Sequence, residues 1–370
     1  MVNRERLVEE FIQLTSIDSI SKKERRMADT LKDKLKAMGF EVSEDQAGEK
    51  IGGDTGNLIC TVKGSKDVPT VMFTAHMDTV QPGTGKKPVV DGDYIKSDGT
   101  TVLGGDDAAG IVCALEALRV LKEDGLEHGD IQVVFTVAEE IGLMGAKNLD
   151  YSLIKAKYGI VLDTGGTIGT VAVKAPTHNI INVTINGKAA HAGVEPEKGI
   201  SAIQIAAEAI SGMKLGRVDF ETSANIGIIS GGRETNIICE KVEIKAEARS
   251  RDAQKLEQQT AHMKDCFDRA ASKFGGNVDF KAVNEYPSFN IPKDAPIMGI
   301  LQKAADTVHI KLEPEETGGG SDTNIFNSKG IEAVDISVGM DKVHSVDERI
   351  LIDDLVKAAE FVIAIITNIE

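Results

Sequence analysis

The stretch TAHMDTV, Thr74 to Val80, follows directly on the apolar run VPTVMF, Val68 to Phe73. In an extended segment side chains alternate faces, so His76 and Asp78 share one, roughly 7 Å apart along the backbone. The pair either holds itself together or jointly holds something else. Its neighbours decide the fold. The helical patterns RERLVEEFIQLTSI and RRMADTLKDKLKAMGF and the strand NLICTVKG precede it. A Gly-rich loop, the helix AAGIVCALEALRVLKEDG and the strand DIQVVFTVAEE follow, then a short helix and YGIVLDTGG. Strands alternating with helices predict an α/β fold with an open, mostly parallel sheet and helices on both faces.

The pattern changes near Pro176. From HNIINVTINGK onward the order is strand, helix, strand, strand, helix, strand, which is the ferredoxin-like β-α-β-β-α-β unit. It ends near Pro287 and Pro292, after which APIMGILQKAADTV, a Gly-rich loop, AVDISVG and the helix LIDDLVKAAEFVIAIITNI resume the α/β pattern. The reading is a larger domain made of residues 1–176 and 289–370, interrupted by an inserted unit at 177–288.

The chain has 370 residues and a net charge of −16. That balance argues against nucleic acid or an anionic membrane surface as partner. Cys60, Cys113, Cys239 and Cys266 are scattered and form no CxxC pair, as expected of free thiols in a reducing cytoplasm. The N-terminus reads as a charged amphipathic helix without a signal core, and no apolar run approaches the roughly 20 residues that span a bilayer.

Acids and imidazoles recur at the strand ends. VVFTVAEE finishes in Glu139 and Glu140, and GIVLDTGG carries Asp163. VLGGDDAAG puts Asp106 and Asp107 in a loop before a helix, and GMDKVHSVDER puts His344 beyond the strand AVDISVG. In an open α/β sheet such groups converge on one crevice outside the carboxyl ends of the strands. Taken singly, each has a plain structural explanation: a hydrogen-bonded His–x–Asp pair, solvated loop acids, an Asp at a helix N-cap. Together in one pocket, His76, Asp78, Asp106, Glu139, Glu140, Asp163 and His344 would repel or titrate to neutrality unless cations held them. Imidazole and carboxylate donors without thiolate favour zinc, with manganese or cobalt as substitutes. The donors exceed one tetrahedral site, so two metals sharing a bridging carboxylate are expected. The remaining histidines, His128, His178, His262 and His309, read as structural or surface residues.

With TAHMDTV, GGDDAAG, AEEIGLMGAKNL, LDTGG, AAHAG and the GGGSD loop followed by HSVDER, the chain resembles the di-zinc metallopeptidase family of aminoacylase, carboxypeptidase G and peptidase T. The resemblance runs nearly the whole length, in order, and is strongest to the peptidase T (tripeptide aminopeptidase) branch. It implies that His76 and Asp163 bind one zinc, Glu140 and His344 the other, and that Asp106 bridges them. Asp78 would orient His76, and Glu139 would be the general base acting on the bridging water. It further implies that His191, in the inserted lid, reaches the developing oxyanion, and that Asn236, Arg249 and the loop around Gly320 contact substrate. From the residues alone, His191 is a histidine in a Gly-flanked turn and Arg249 an ordinary strand residue. The family often has Lys two positions after the bridging Asp, where this chain has Ala108. The expected function is zinc-dependent hydrolysis of short peptides by an aminopeptidase. The alternative is an N-acyl amino acid deacylase or carboxypeptidase-like amidohydrolase with the same metal residues. A homodimer through the inserted unit is the macromolecular association this reading admits.

Overall fold

Val71–His76 and Ile131–Thr136 are strands in which every residue is buried. Such continuous burial is what a parallel sheet covered on both faces imposes, and it explains why VMFTAH and IQVVFT lack polar alternation. The structure, a computed structural model, describes all 370 residues. It divides into two units. One comprises Met1–Val173, Asn290–Glu316 and Ser321–Glu370, the other Lys174–Phe289 and Thr317–Gly320.

In the first unit the main sheet runs Val42–Glu44, Leu58–Val62, Ile131–Thr136, Val71–His76, Tyr158–Gly165, Glu332–Asp341, Arg349–Leu351, Tyr94–Lys96, Val89–Asp91. The four strands from Ile131–Thr136 to Glu332–Asp341 are parallel. The flanking strands pair antiparallel. His76 pairs with Thr136, and Thr74 with Val161, so the ends that carry His76, Glu139 and Asp163 lie at the same edge. Helix Gly105–Asp124 packs across Val71–His76, Tyr158–Gly165 and Glu332–Asp341 and is covered in turn by helices Arg4–Thr15 and Ile352–Thr367. Its apolar residues surround the axis because it is buried almost all the way round.

The second unit is a five-stranded antiparallel sheet in the order Gly216–Arg217, Thr222–Gly231, Lys241–Ser250, Thr177–Asn186, Asn277–Tyr286. Alternate residues of Lys241–Ser250 are buried, from Val242 to Ser250, and join Ile181, Val183 and Ile185 against helices Ala202–Ser211 and Ala253–Phe274. The segment Thr317–Gly320 lies with this unit, although the boundaries read from sequence leave it with the first. Arg251 donates to Thr317 O at 3.3 Å, and Gly320 packs on Tyr286.

Candidate active site

The strand Val71–His76 delivers His76 to the edge of the sheet with its ring buried. Nδ1 lies 2.9 Å from the carbonyl oxygen of Asp78, a contact that fixes the proton on Nδ1 and turns the Nε2 lone pair outward. Nε2 meets Asp106 Oδ1 at 2.8 Å and Asp163 Oδ1 at 3.5 Å. His344 arrives from the loop after Glu332–Asp341, with φ at 60°, and its Nε2 meets Asp106 Oδ2 at 3.1 Å and Glu140 Oε1 at 2.9 Å. The two oxygens of Asp106 therefore face two different imidazoles. One donor atom each from His76, Asp106 and Glu140 falls within 4.8 Å of the others, and the same holds for His76, Glu139 and Asp163.

The adjacent aspartates of GGDDAAG divide. Asp107 accepts Gly110 N at 3.0 Å, as an N-cap does, and also His76 N at 3.1 Å. Asp106, one residue earlier and outside helical geometry, is left to the site. Buried Glu348 holds that bend by accepting Gly104 N at 2.9 Å and Asp106 N at 3.0 Å. Asp335 accepts Asp163 N at 3.0 Å.

Asp78 stands beside His76, where the resemblance expects an orienting partner, and serves a second set of groups as well. Its carboxylate is 3.5 Å from His76 Nδ1, and its main-chain carbonyl makes the closer contact. The carboxylate also accepts from Glu139 N at 2.9 Å, Glu140 N at 3.3 Å and Ser21 Oγ at 2.6 Å. It carries the turn on which both glutamates sit.

The electrostatics test the donor set. Burial, and then the charge of Asp163, push Glu139 well above the usual carboxylate range. Burial, and then Asp106, do the same to Asp163. Burial opposes a charge on His76, but Asp163, Asp106 and Asp78 outweigh it and raise the imidazole well above its ordinary value. Hydrogen bonds to Asp106 and then Glu140 bring His344 to about 10. The acids demand positive charge at the point where the two Nε2 atoms and the carboxylate oxygens converge. Divalent cations with imidazole and carboxylate preference fit that demand.

His191, Asn236, Arg249 and Gly320 belong to the second unit. The loops of His191 and Asn236 are bonded to each other, Ala192 N to Asn236 O at 2.9 Å and Ile238 N to Ala190 O at 3.0 Å, and both side chains are exposed. Arg249 Nη1 lies 3.3 Å from Tyr286 Oη, and Nη2 lies 3.0 Å from Glu247 Oε2. A Cβ on Gly320 would come within 2.4 Å of the Tyr286 ring, a packing reason for glycine there. Glu348, Asp335 and Glu24, which accepts Ala138 N at 3.0 Å, escape a sequence reading. Glu348 stands inside HSVDER, four residues after His344, but nothing in its local pattern marks it off from a solvated loop acid.

Comparison with known proteins follows the same lines. The model of peptidase family M20/M25/M40 matches residues 72–368. The chain is 49% identical over 366 residues to the uncharacterized protein YqjE of Bacillus subtilis (strain 168), with 99% of each covered. It superposes on the crystal structure of aminopeptidase PepT from Bacillus cereus ATCC 10987 with a TM-score of 0.90 at 47% identity, covering 99% of both chains. With a tripeptidase from Staphylococcus aureus subsp. aureus Mu50 the TM-score is 0.95 at 43% identity, covering 99% of this chain and 98% of the other.

Proposed function

We propose that this chain, which belongs to peptidase family M20/M25/M40, is a two-metal aminopeptidase that removes the N-terminal residue of short peptides. The observation that carries the reading is Asp106, whose two oxygens meet two different imidazoles, each of which also meets a second acid. His76 and Asp163 would hold one cation and Glu140 and His344 the other, with Asp106 shared. Zinc is the preferred ion by donor type, and manganese or cobalt would substitute. Bound there, the cations supply Lewis acidity. Glu139 accepts the proton of the attacking water and returns it to the leaving amine. Asp78 keeps Glu139 and Glu140 in place through their backbone N–H groups.

His191 is proposed as the donor to the substrate oxyanion, and Asn236, Arg249 and Gly320 as substrate contacts. For His191, replacement by Ala should lower kcat by about 10²-fold or more with metal content unchanged. An unaltered kcat returns it to the surface. We place the enzyme in the cytoplasm because its four cysteines are free and buried. No helix is long and apolar enough to cross a membrane. The partner is a short peptide, and a second copy of the chain is proposed at the outer edge of Thr222–Gly231. Beyond Ser223 and Ala224 that edge has no pairing strand, and Ile228 and Ile229 are more than half exposed. Light scattering that finds only monomers at high concentration removes the dimer.

Which amide is cut is tested by one tripeptide with a free amine and its N-acetyl form, compared by kcat/KM. The similarity to an aminopeptidase and a tripeptidase over the full chain supports preference for the free amine. The net charge of −16 favours an approaching ammonium in the same sense. Faster cleavage of the acetylated peptide, or release from the C-terminal end, would establish a deacylase or carboxypeptidase instead.

A further inference from the structure

Four consecutive backbone N–H groups lead from strand Ile131–Thr136 to the paired glutamates, and each is taken by a side chain from elsewhere. Val137 donates to Asn57 Oδ1 at 3.1 Å and Ala138 to Glu24 Oε1 at 3.0 Å. Glu139 and Glu140 donate to the two oxygens of Asp78. Asn57, Glu24 and Asp78, from three separate segments, together hold this one short turn. Asn57 and Asp78 have further bonds that account for them, Asn57 to Asp45 and Gly145 O, Asp78 to Ser21.

Glu24 is the costly member. It is fully buried, and its second oxygen has no hydrogen-bond partner. Burial first, and then the charge of Asp78, push its carboxyl up to about 7. The backbone of Glu24 begins helix Arg25–Ala37, with Ala28 N donating to Glu24 O at 2.9 Å, while the side chain turns inward. There its bonded oxygen accepts from Lys22 N at 2.9 Å and Ala138 N at 3.0 Å. Both residues have positive φ, 71° and 51°, a region that side chains bearing a Cβ occupy only when their surroundings hold them there. An acid that gains so little for its own burial is explained by what its bonded oxygen holds in place.

We infer that Glu24 is a positioning residue for proton transfer: by holding Ala138 N–H it sets the left-handed turn from which Glu139 leaves the sheet. The inference rests on the reading of Glu139 as the base. A base displaced by a fraction of an ångström loses rate, while substrate binding through other groups persists.

Three variants of the full-length enzyme separate the possibilities. Glu24→Ala removes the acceptor. Glu24→Asp keeps the charge and withdraws the acceptor by one methylene. Glu24→Gln keeps the acceptor and turns an amide towards Asp78. Expected is a fall in kcat of about 10- to 100-fold for Asp and Ala. KM should stay within about threefold, zinc content at saturation should be unchanged, and Gln should recover most of the rate. Hydrogen exchange on the metal-free proteins reads the contact between Glu24 and Ala138 without turnover: protection of the Ala138 and Glu139 amides falls in Asp and Ala and persists in Gln. Wild-type kcat in Glu24→Asp overturns the inference, as does unchanged exchange in Asp and Ala. Loss of rate in Gln as large as in Asp also overturns it, since keeping the acceptor in place would then recover nothing. Should Glu24→Ala fail to fold, the Asp and Gln pair decides alone. If the wild type loaded with zinc cleaves no peptide, the reading of the site fails, and the exchange data still judge the contact between Glu24 and Ala138.

Discussion

Asp107 spends its carboxylate on Gly110 N and His76 N, and Asp106 aims both of its oxygens at imidazoles. A similar division separates Glu139 from Glu140. Both hang from the carboxylate of Asp78 by their N–H groups, but Glu140 meets His344 at 2.9 Å while Glu139 lies with His76 and Asp163. Replacement by Gln alters neither backbone bond, so the side-chain roles can be read separately. Glu139→Gln should abolish turnover and keep both metals, because Gln has the shape without the basicity. Glu140→Gln should instead lose one metal more readily. Metal analysis beside kcat checks this, and equal metal loss in both variants would refute the division. Residue identity made these acids visible in the sequence. Their separate duties were legible only through the family resemblance, because two adjacent acids present the same composition whichever one caps the helix.

At the scale of elements, helix Gly105–Asp124 is held close to the sheet by a glycine. A Cβ on Gly110 would lie 2.5 Å from Asp107 Oδ1, 2.6 Å from Leu162 O and 2.8 Å from Leu162 Cβ. Two of these are atoms that cannot rotate far: the backbone oxygen of a central strand and the carboxylate oxygen already bonded to Gly110 N. Gly110→Ala should therefore cost about 2–3 kcal/mol by overpacking and disturb the cap that keeps Asp107 out of the site. Gly299, in helix Pro296–Thr307, has nothing within 4 Å of its would-be Cβ. There Ala should stabilise by about 0.5–1 kcal/mol through lower backbone entropy in the unfolded chain. Urea unfolding of both variants is the measurement, and equal effects would contradict the packing argument. The helix and its neighbouring strands were legible from period and apolar runs. The close approach at Gly110 was not, because a glycine in a helical pattern reads as a mild weakness until its neighbour is known.

For the whole molecule, the prediction concerns metal. The first unit brings buried acids to one sheet edge in a chain of net charge −16, so cations bound there should stabilise that unit by mass action. Chelation should lower its melting transition by on the order of 5–10 °C, and zinc should restore it. The second unit, with its own core of Ile181, Val183, Ile244 and Phe267, should melt unchanged. Calorimetry with and without chelator tests this, and an insensitive first unit would argue against metal at these residues.

The sequence by itself determined the strands, the class of sheet and the convergence of His76, Asp106, Glu139, Glu140, Asp163 and His344. Fully apolar runs admit burial on both faces, and parallel strands bring their carboxyl ends to one edge. Tertiary structure alone decided which atoms meet. Asp78 faces the Glu139–Glu140 turn with its carboxylate and His76 with its carbonyl. Glu24, Asp335 and Glu348 enter from distant segments to hold the backbone N–H groups of Ala138, Asp163 and Asp106. Alternation along a strand specifies a face, and a motif specifies a residue type. Neither specifies the partner of a backbone N–H in a loop, because that depends on where a remote segment of chain comes to rest.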